Sequence, residues 1–318
     1  MPDTWDFSQS RPRQADPLAQ VPILTYLLVA LSVVITGASM LGGSQPGSLL
    51  YAIGNFGFVS EEQIWNGHIW GLVTSVFIHG GALHLLFDML WLVQLGRILE
   101  RTLPPAIYLL FVVAAAAVGS AIQLLISGQT GIGMSGVVYA LFGLMWAGRG
   151  AFSSWRAMAT QDNLRFLIGW GLLCVVATYI PFLANLGLRV GNGAHGGGFL
   201  FGLCIGFLFY SPRRRYVWAA PLALLLLAAV LACTWQPWSG DWTFWKGNRE
   251  FDRKHYAQAI HWYQASLRHG ADPHDTWHNI SLAWNNIAAD DASRKELTGA
   301  DNALSESRSA AQKAGPGE

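Results

Sequence analysis

Apolar runs of roughly the length of a bilayer crossing recur along this chain to about residue 235, and they restrict its fold more than any other feature. They lie near 21–42, 79–98, 105–127, 135–149, 165–184, 194–211 and 216–235. About 20 residues of α-helix span a hydrocarbon core, and inside that core every backbone polar group must bond within its own segment. The expected class is therefore an all-α membrane protein. The third and seventh runs, PAIYLLFVVAAAAVGSAIQLLIS and YVWAAPLALLLLAAVLACTW, are apolar on all sides and suit a lipid-facing position. The fourth and sixth are shorter and rich in glycine, which suits helices buried among others. Charge agrees: 12% of the 318 residues are charged, where soluble domains carry roughly 25%. A net charge of +1 with no basic domain excludes nucleic acid as a partner. Cys174, Cys204 and Cys233 all sit in apolar runs, so neither a disulfide framework nor a metal cluster is expected.

Lys and Arg bias orients the spans. Arg11 and Arg13, Arg97 and Arg101, then Arg149, Arg156 and Arg165, and finally Arg213, Arg214 and Arg215 fall on one side, while the loops on the other side before the seventh span contain only Arg189. The polar tail 1–20 lacks a signal-peptide layout and is placed in the cytoplasm. Seven spans put the chain after about 236 on the outer face. A bacterial inner membrane is the simplest location, with the C-terminal part periplasmic. The first outer loop, 43–78, holds Phe56, Phe58, Trp65, Trp70 and the pair Glu61–Glu62, an aromatic content suited to the membrane interface.

Polar groups inside spans are costly and mark functional sites by default. Here they are His79, His84, Asp88, Ser135, Asn192 and His195, drawn from three spans at one depth. In GIGMSGVVYALFG, Gly133 and Gly136 flank the start of a helix at Ser135, where free N–H groups face any developing negative charge. Alone, that serine reads more readily as small-residue packing with Gly136, Ala140 and Gly143. In NGAHGGGFLFGLCIG, Ala194, Gly198, Gly202 and Gly206 form a ridge without bulk, and His195 sits beside it. A helix lying on that ridge and beginning at Ser135 would bring imidazole to hydroxyl, and an adjacent base is what a serine needs to become a nucleophile.

FIHGGALHLLFDMLWLVQLGRILE, GMSGVVYALFG and NGAHGGGFLFG, in that order, resemble the rhomboid family of intramembrane serine proteases over about residues 20–212. The resemblance implies a six-helix bundle, here followed by a seventh transmembrane helix at 213–236. It implies a Ser–His dyad without a third carboxylate, no cofactor, and single-span transmembrane proteins in the lipid bilayer as substrates. By motif, Ser135 is the nucleophile and His195 the general base. Tyr139 packs on the imidazole, and Ser135 N–H and His84 supply the oxyanion site beside Gly133. His79 anchors the first outer loop, Gly198 and Gly202 are structural, and Asn192 matches a position of unassigned role. The family's second-span pattern is H-x-x-x-N, whereas His84 is followed by Asp88. Two outcomes are open there: a neutral carboxylic acid that donates a hydrogen bond, or a carboxylate paired with a protonated His84. A rhomboid-like protein that binds membrane clients without cleaving them is the alternative function that this departure favours.

Beyond the spans, Gly247, Phe251, Tyr256, Ala259, Ile260, Tyr263 and Leu267 fall where a tetratricopeptide repeat places its packing residues, and Trp277–Ala283 read as the start of a next unit. A TPR-like helical domain is expected over 240–302, offering a docking surface for a protein partner. The Ser-, Ala- and Gly-rich stretch 303–318 is expected to be disordered.

Overall fold

The computed structural model describes residues 21–42, 48–180, 191–211, 215–294 and 296–315. The tail 1–20 with Arg11 and Arg13, and also Arg189, Arg213 and Arg214, lie outside the described residues. Every element among the described residues is helical. The long helices are α1 (Ile23–Gly42), α2 (Ala82–Thr102), α3 (Pro105–Ser127), α4 (Ser135–Gly148), α5 (Gln161–Thr178), α6 (Asn192–Tyr210), α7 (Arg215–Thr234), α8 (Gly240–Asp252), α9 (Tyr256–Arg268), α10 (Pro273–Ser293) and α11 (Leu297–Ala314). Among them α1, α2, α3, α6 and α7 are long and apolar enough to cross a membrane. Helix α4 is apolar but only 14 residues long, and α5 carries Asp162 and Arg165 in its opening turns.

The chain divides into two compact units. The first contains the chain up to Val59, then Trp70–Gln123 and Gly131–Leu227. Its centre is α4, in which every residue from Ser135 to Met145 is buried. A helix so enclosed needs no lipid-facing length, which explains why the run is short. Helix α6 lies directly on it. A methyl group at Gly198 would strike the Gly136 carbonyl oxygen, and one at Gly202 the Ala140 carbonyl oxygen. Only glycine permits this backbone approach. On the other flank, Glu100 of α2 accepts from the N–H groups of Leu24 and Thr25 at 2.8 Å each, closing the free end of α1. Between α1 and α2 the described chain forms short helices at Leu49–Gly54, Glu61–Trp65 and Gly71–Thr74, followed by a 3₁₀ turn at Ser75–Phe77.

Two span boundaries differ from the sequence expectation. Helix α2 begins at Ala82, so His79 lies ahead of the helix in extended chain rather than inside the span. The Gly80–Gly81 pair delays the helix start, glycine being costly in a helical turn. Helix α5 runs from Gln161 to Thr178, a few residues before the expected 165–184, because Thr160 caps its N-terminus by accepting from Asn163 N–H.

The second unit comprises Ser60–Ile69, Leu124–Thr130 and the chain from Ala228 on. Within it the Trp65 indole donates to the Ala232 carbonyl at 3.1 Å, and Trp65 and Trp245 rings lie 5.7 Å apart. Helices α8 to α11 share a core of Ala259, Ile260, Tyr263, Ile280, Ala283 and Ala310, flanked by Phe244, Phe251, Tyr256 and Trp277. Gly247 abuts the Tyr263 ring. The expectation of a disordered 303–318 is overturned up to Ala314: α11 is helical from Leu297 to Ala314, and only 316–318 fall outside the described residues. Ala300, Ala303, Ser307 and Ala310 are buried at helical spacing, and Ser307 bonds Ser281 of α10 at 3.0 Å. Small side chains that look like low complexity here form a close-packed stripe, and alanine is the strongest helix former.

Candidate active site

The site is assembled in the first unit from the chain ahead of α2, α2 itself, the start of α4, and the start of α6. Gly133 has φ 94°, a left-handed conformation that favours glycine. It turns the chain so that α4 opens at Ser135, whose N–H therefore has no intrahelical acceptor. Gln123 of α3 fixes the other half. Its Oε1 accepts from Gly193 N–H at 2.7 Å and Ala194 N–H at 3.3 Å, capping α6 from a neighbouring helix.

Between these two helix starts, His195 Nε2 lies 2.8 Å from Ser135 Oγ, with both side chains buried. The Tyr139 ring stacks on the imidazole at 4.5 Å between centroids and 16° between planes. Tyr139 is itself held, its hydroxyl donating to the Leu167 carbonyl of α5 at 2.6 Å. His195 Nδ1 has no hydrogen-bond partner among the described residues, so no carboxylate stands behind the imidazole. An apolar cleft of about 220 Å³ opens beside the pair, lined by Tyr139, Leu167, Gly171, Val175, His195 and Phe199. Asn192 lines the same cleft and donates to Thr178 Oγ1 at 2.9 Å, which ties α6 to α5 rather than to the serine.

On the opposite side of Ser135, three buried groups converge. Asp88 Oδ2 lies 3.2 Å from His79 Nε2 and 3.4 Å from His84 Nε2. The two imidazole rings meet edge to face at 5.1 Å. A methyl group at Gly133 would lie 2.6 Å from His84 Nε2 and 3.3 Å from Asp88 Oδ2, so the turn before the serine rests on this cluster. His79 Nδ1 lies 3.1 Å from Thr36 Oγ1 on α1 and 3.3 Å from the Phe77 carbonyl, tying the end of the α1–α2 connection to α1. Its Nε2 accepts from Met134 N–H at 3.3 Å. His79 thus reaches the serine turn as well as the loop, a second contact that its position in the motif did not reveal.

Comparison with known proteins follows the same boundaries. Residues 66–212 match the family described as the Rhomboid domain. The chain is 30% identical over 199 residues to the rhomboid protease GlpG of Haemophilus influenzae, an alignment covering 62% of this chain and 96% of that protein. The chain belongs to the rhomboid family of intramembrane serine proteases. It is also 31% identical over 154 residues to rhomboid protease GlpG of Salmonella paratyphi A, and 34% identical over 154 residues to that of Salmonella newport. In both cases 48% of this chain is covered, and the match spans about half, 53%, of the relative's length. This rhomboid is a multi-pass integral membrane protein, and the matched segment contains every residue of the site described above except Thr36 of α1. Helices α8 to α11 lie beyond it.

Three supports of the rhomboid site were not singled out by sequence reasoning: Gln123, the Leu167 carbonyl and Thr178. Gln123 carried a signal, as an amide in the otherwise apolar AIQLLIS, and intramembrane polar residues are functional by default. Leu167 acts through its backbone, which no side-chain pattern discloses.

Proposed function

We propose that this rhomboid is an endopeptidase in which Ser135 is the nucleophile and His195 the general base, acting on membrane proteins in or near their transmembrane segment. The 2.8 Å contact between His195 Nε2 and Ser135 Oγ carries the reading. As Oγ attacks the scissile carbonyl, Nε2 takes its proton. The tetrahedral oxyanion then faces the Ser135 N–H and the His84 side of the site. Collapse expels the amine, which receives the proton from Nε2, and water releases the acyl group with His195 again as base. The stacked, tethered Tyr139 orients the imidazole, a task a third carboxylate performs in other serine proteases.

The apolar cleft beside His195 and the enclosure of α4 favour an extended, unwound segment as substrate, since an intact helix keeps its carbonyls internally bonded. Single-span proteins whose helix unwinds readily meet that demand. The arginine distribution supports a cytoplasmic N-terminus in a bacterial inner membrane and an outer-face position for α8 to α11. Their helix pairs and the Gly247–Tyr263 contact support a tetratricopeptide-like docking role for a protein partner. Asp88 favours the second reading, a membrane-client binder without catalysis, because a carboxylate beside a developing oxyanion has the wrong charge.

The deciding experiment is cleavage of a model transmembrane substrate in liposomes by wild type, Ser135→Ala and His195→Ala, with fluorophosphonate labelling of Ser135 alongside. Loss of turnover in both variants and labelling of Ser135 are expected. Equal turnover in all three proteins would reject the protease reading, and an inert wild type that still retains a client would favour the binder.

A further inference from the structure

The His79–Asp88–His84 cluster is incompatible with the simplest assignment of protons. His79 Nδ1 faces the Phe77 carbonyl, which only accepts, while the Met134 N–H donates to Nε2. His79 is therefore the Nδ1–H tautomer, with a lone pair at Nε2. Asp88 Oδ2 stands 3.2 Å from that lone pair and 3.4 Å from His84 Nε2. Asp88 Oδ2 and both His84 nitrogens find no other partner among the described residues. His79, His84 and Asp88 are only 4%, 8% and 6% exposed. A bare carboxylate against a lone pair in a buried site is repulsive, and an unpaired buried charge is costly. One added proton on the cluster removes both difficulties. Asp88 Oδ2 then accepts from His84 Nε2–H and turns its own hydrogen toward the His79 Nε2 lone pair, which accepts it alongside the long 3.3 Å donation from Met134 N–H, and the cluster has no net charge.

We propose that His79, Asp88 and His84 hold one shared proton, and that the net-neutral cluster is the catalytically competent state, with Asp88 as a positioning residue that acts through His84. This rests on the dyad reading above. The cluster lies against Gly133, two residues before the nucleophile, where the oxyanion forms. Loss of the shared proton leaves a buried negative charge there, and in a medium of low dielectric such a charge opposes a second one strongly. The family's Asn at this position cannot lose a proton. Asp88 therefore gives this rhomboid a proton gate: it works while the cluster is protonated and closes as pH rises. The other titratable groups within electrostatic reach of Asp88 are His195 on α6, Tyr139 on α4 and Cys174 on α5. Removing His195 removes catalysis, so the gate must be read by changing Asp88.

The test is the pH profile of kcat/KM for wild type and Asp88→Asn, with thermal unfolding in the same detergent as a check on folding. Wild type is expected to lose activity tenfold per pH unit above the cluster's titration. Asp88→Asn is expected to equal or exceed wild type at neutral pH and to lose that alkaline limb, exceeding wild type at least tenfold on the alkaline side. An identical limb in both proteins, or a folded Asp88→Asn protein inactive at every pH, overturns the proposal. ¹⁵N-histidine spectra of Ser135→Ala in micelles give an independent readout, since that variant is silent in turnover. His79 and His84 are expected to shift together at the pH of the wild-type limb, as coupled groups do, and separate titrations overturn the shared proton. Should Ser135→Ala cleave as wild type does, the dyad reading fails while the co-titration stands or falls on its own.

Discussion

Replacing Gly202 by alanine separates the contribution of helix approach from that of the reacting residues. Gly202 lies two turns after His195 on α6. A methyl group there strikes the Ala140 carbonyl oxygen and comes within 2.8 Å of the Ala140 carbonyl carbon and 2.9 Å of Leu144 N. These are backbone atoms of α4, so no side chain can rotate aside. Ordinary contact needs about 3.5 Å or more, and α4 and α6 must part by roughly 1 Å to reach it. The same separation would carry the Ser135–His195 contact from 2.8 Å past the range of a good hydrogen bond. Overpacking costs about 1–3 kcal/mol, offset by about 1 kcal/mol from replacing glycine within a helix. A misplacement of about 1 Å costs on the order of 10² in rate. Turnover should therefore fall about a hundredfold while stability changes by only about 0–2 kcal/mol. Gly169→Ala on α5 is the control, because no atom lies within 4 Å of its added methyl; it should keep wild-type kcat and gain up to about 1 kcal/mol. Both variants are measured for kcat and for thermal unfolding in one detergent. Wild-type turnover in Gly202→Ala would refute the argument that backbone proximity sets the dyad geometry.

Tyr139→Phe keeps the ring but removes the bond to Leu167 O, a loss of about 0.5–1.5 kcal/mol in stability. Because the ring then rotates freely over His195, kcat should fall more than KM changes, which steady-state kinetics on one substrate will report. Gln123→Leu is nearly isosteric and removes the cap on α6, so unfolding should be easier by about 0.5–2 kcal/mol, with a parallel fall in fluorophosphonate labelling of Ser135. In the second unit, His255 Nδ1 bonded to Glu250 at 2.9 Å, with Arg253 beside it, holds the Glu250 carboxyl below its ordinary 4.5. A depressed carboxylate stabilises the folded state above its unfolded value and ceases to as pH falls through the folded one. Thermal stability should thus drop on acidification below about pH 4.5, and Glu250→Gln should start lower at pH 7 and show a shallower acid slope.

The spans and the Ser135–His195 contact were legible because each rests on a short-range signal with a strong physical cause. Apolar length marks α1, α3 and α7, and the Ala194–Gly198–Gly202–Gly206 ridge gives the face on which α4 lies. Ser135 and His195 could be paired because both begin helices that this ridge brings together. What the sequence concealed belongs to long-range backbone partners. Gln123 caps α6 from seventy positions away, Leu167 holds Tyr139 through a carbonyl, and Met134 N–H reaches His79 across fifty-five positions. The stretch after 303 misled for a different reason. Alanine and serine lower both hydrophobicity and bulk, and only the placement of Ala300, Ala303, Ser307 and Ala310 against α10 distinguishes a packing stripe from a solvated tail.

The placement of charge in this site follows one rule. A carboxylate behind His195 would orient the imidazole, but in a buried interior it would stand as a costly anion whenever the imidazole is neutral. Orientation of His195 instead comes from uncharged contacts, the stacked Tyr139 ring and its tether to Leu167. The carboxylate that the site does contain, Asp88, is placed on the far side of Ser135 between two imidazoles, where a single proton neutralises it. The same low dielectric that makes an acid behind the histidine expensive makes the protonation state of Asp88 decisive. A chain with Asn at this position has an oxyanion site indifferent to that proton. Under the proposal above, this chain exchanges that indifference for dependence on pH, with the Ser135–His195 pair left unchanged.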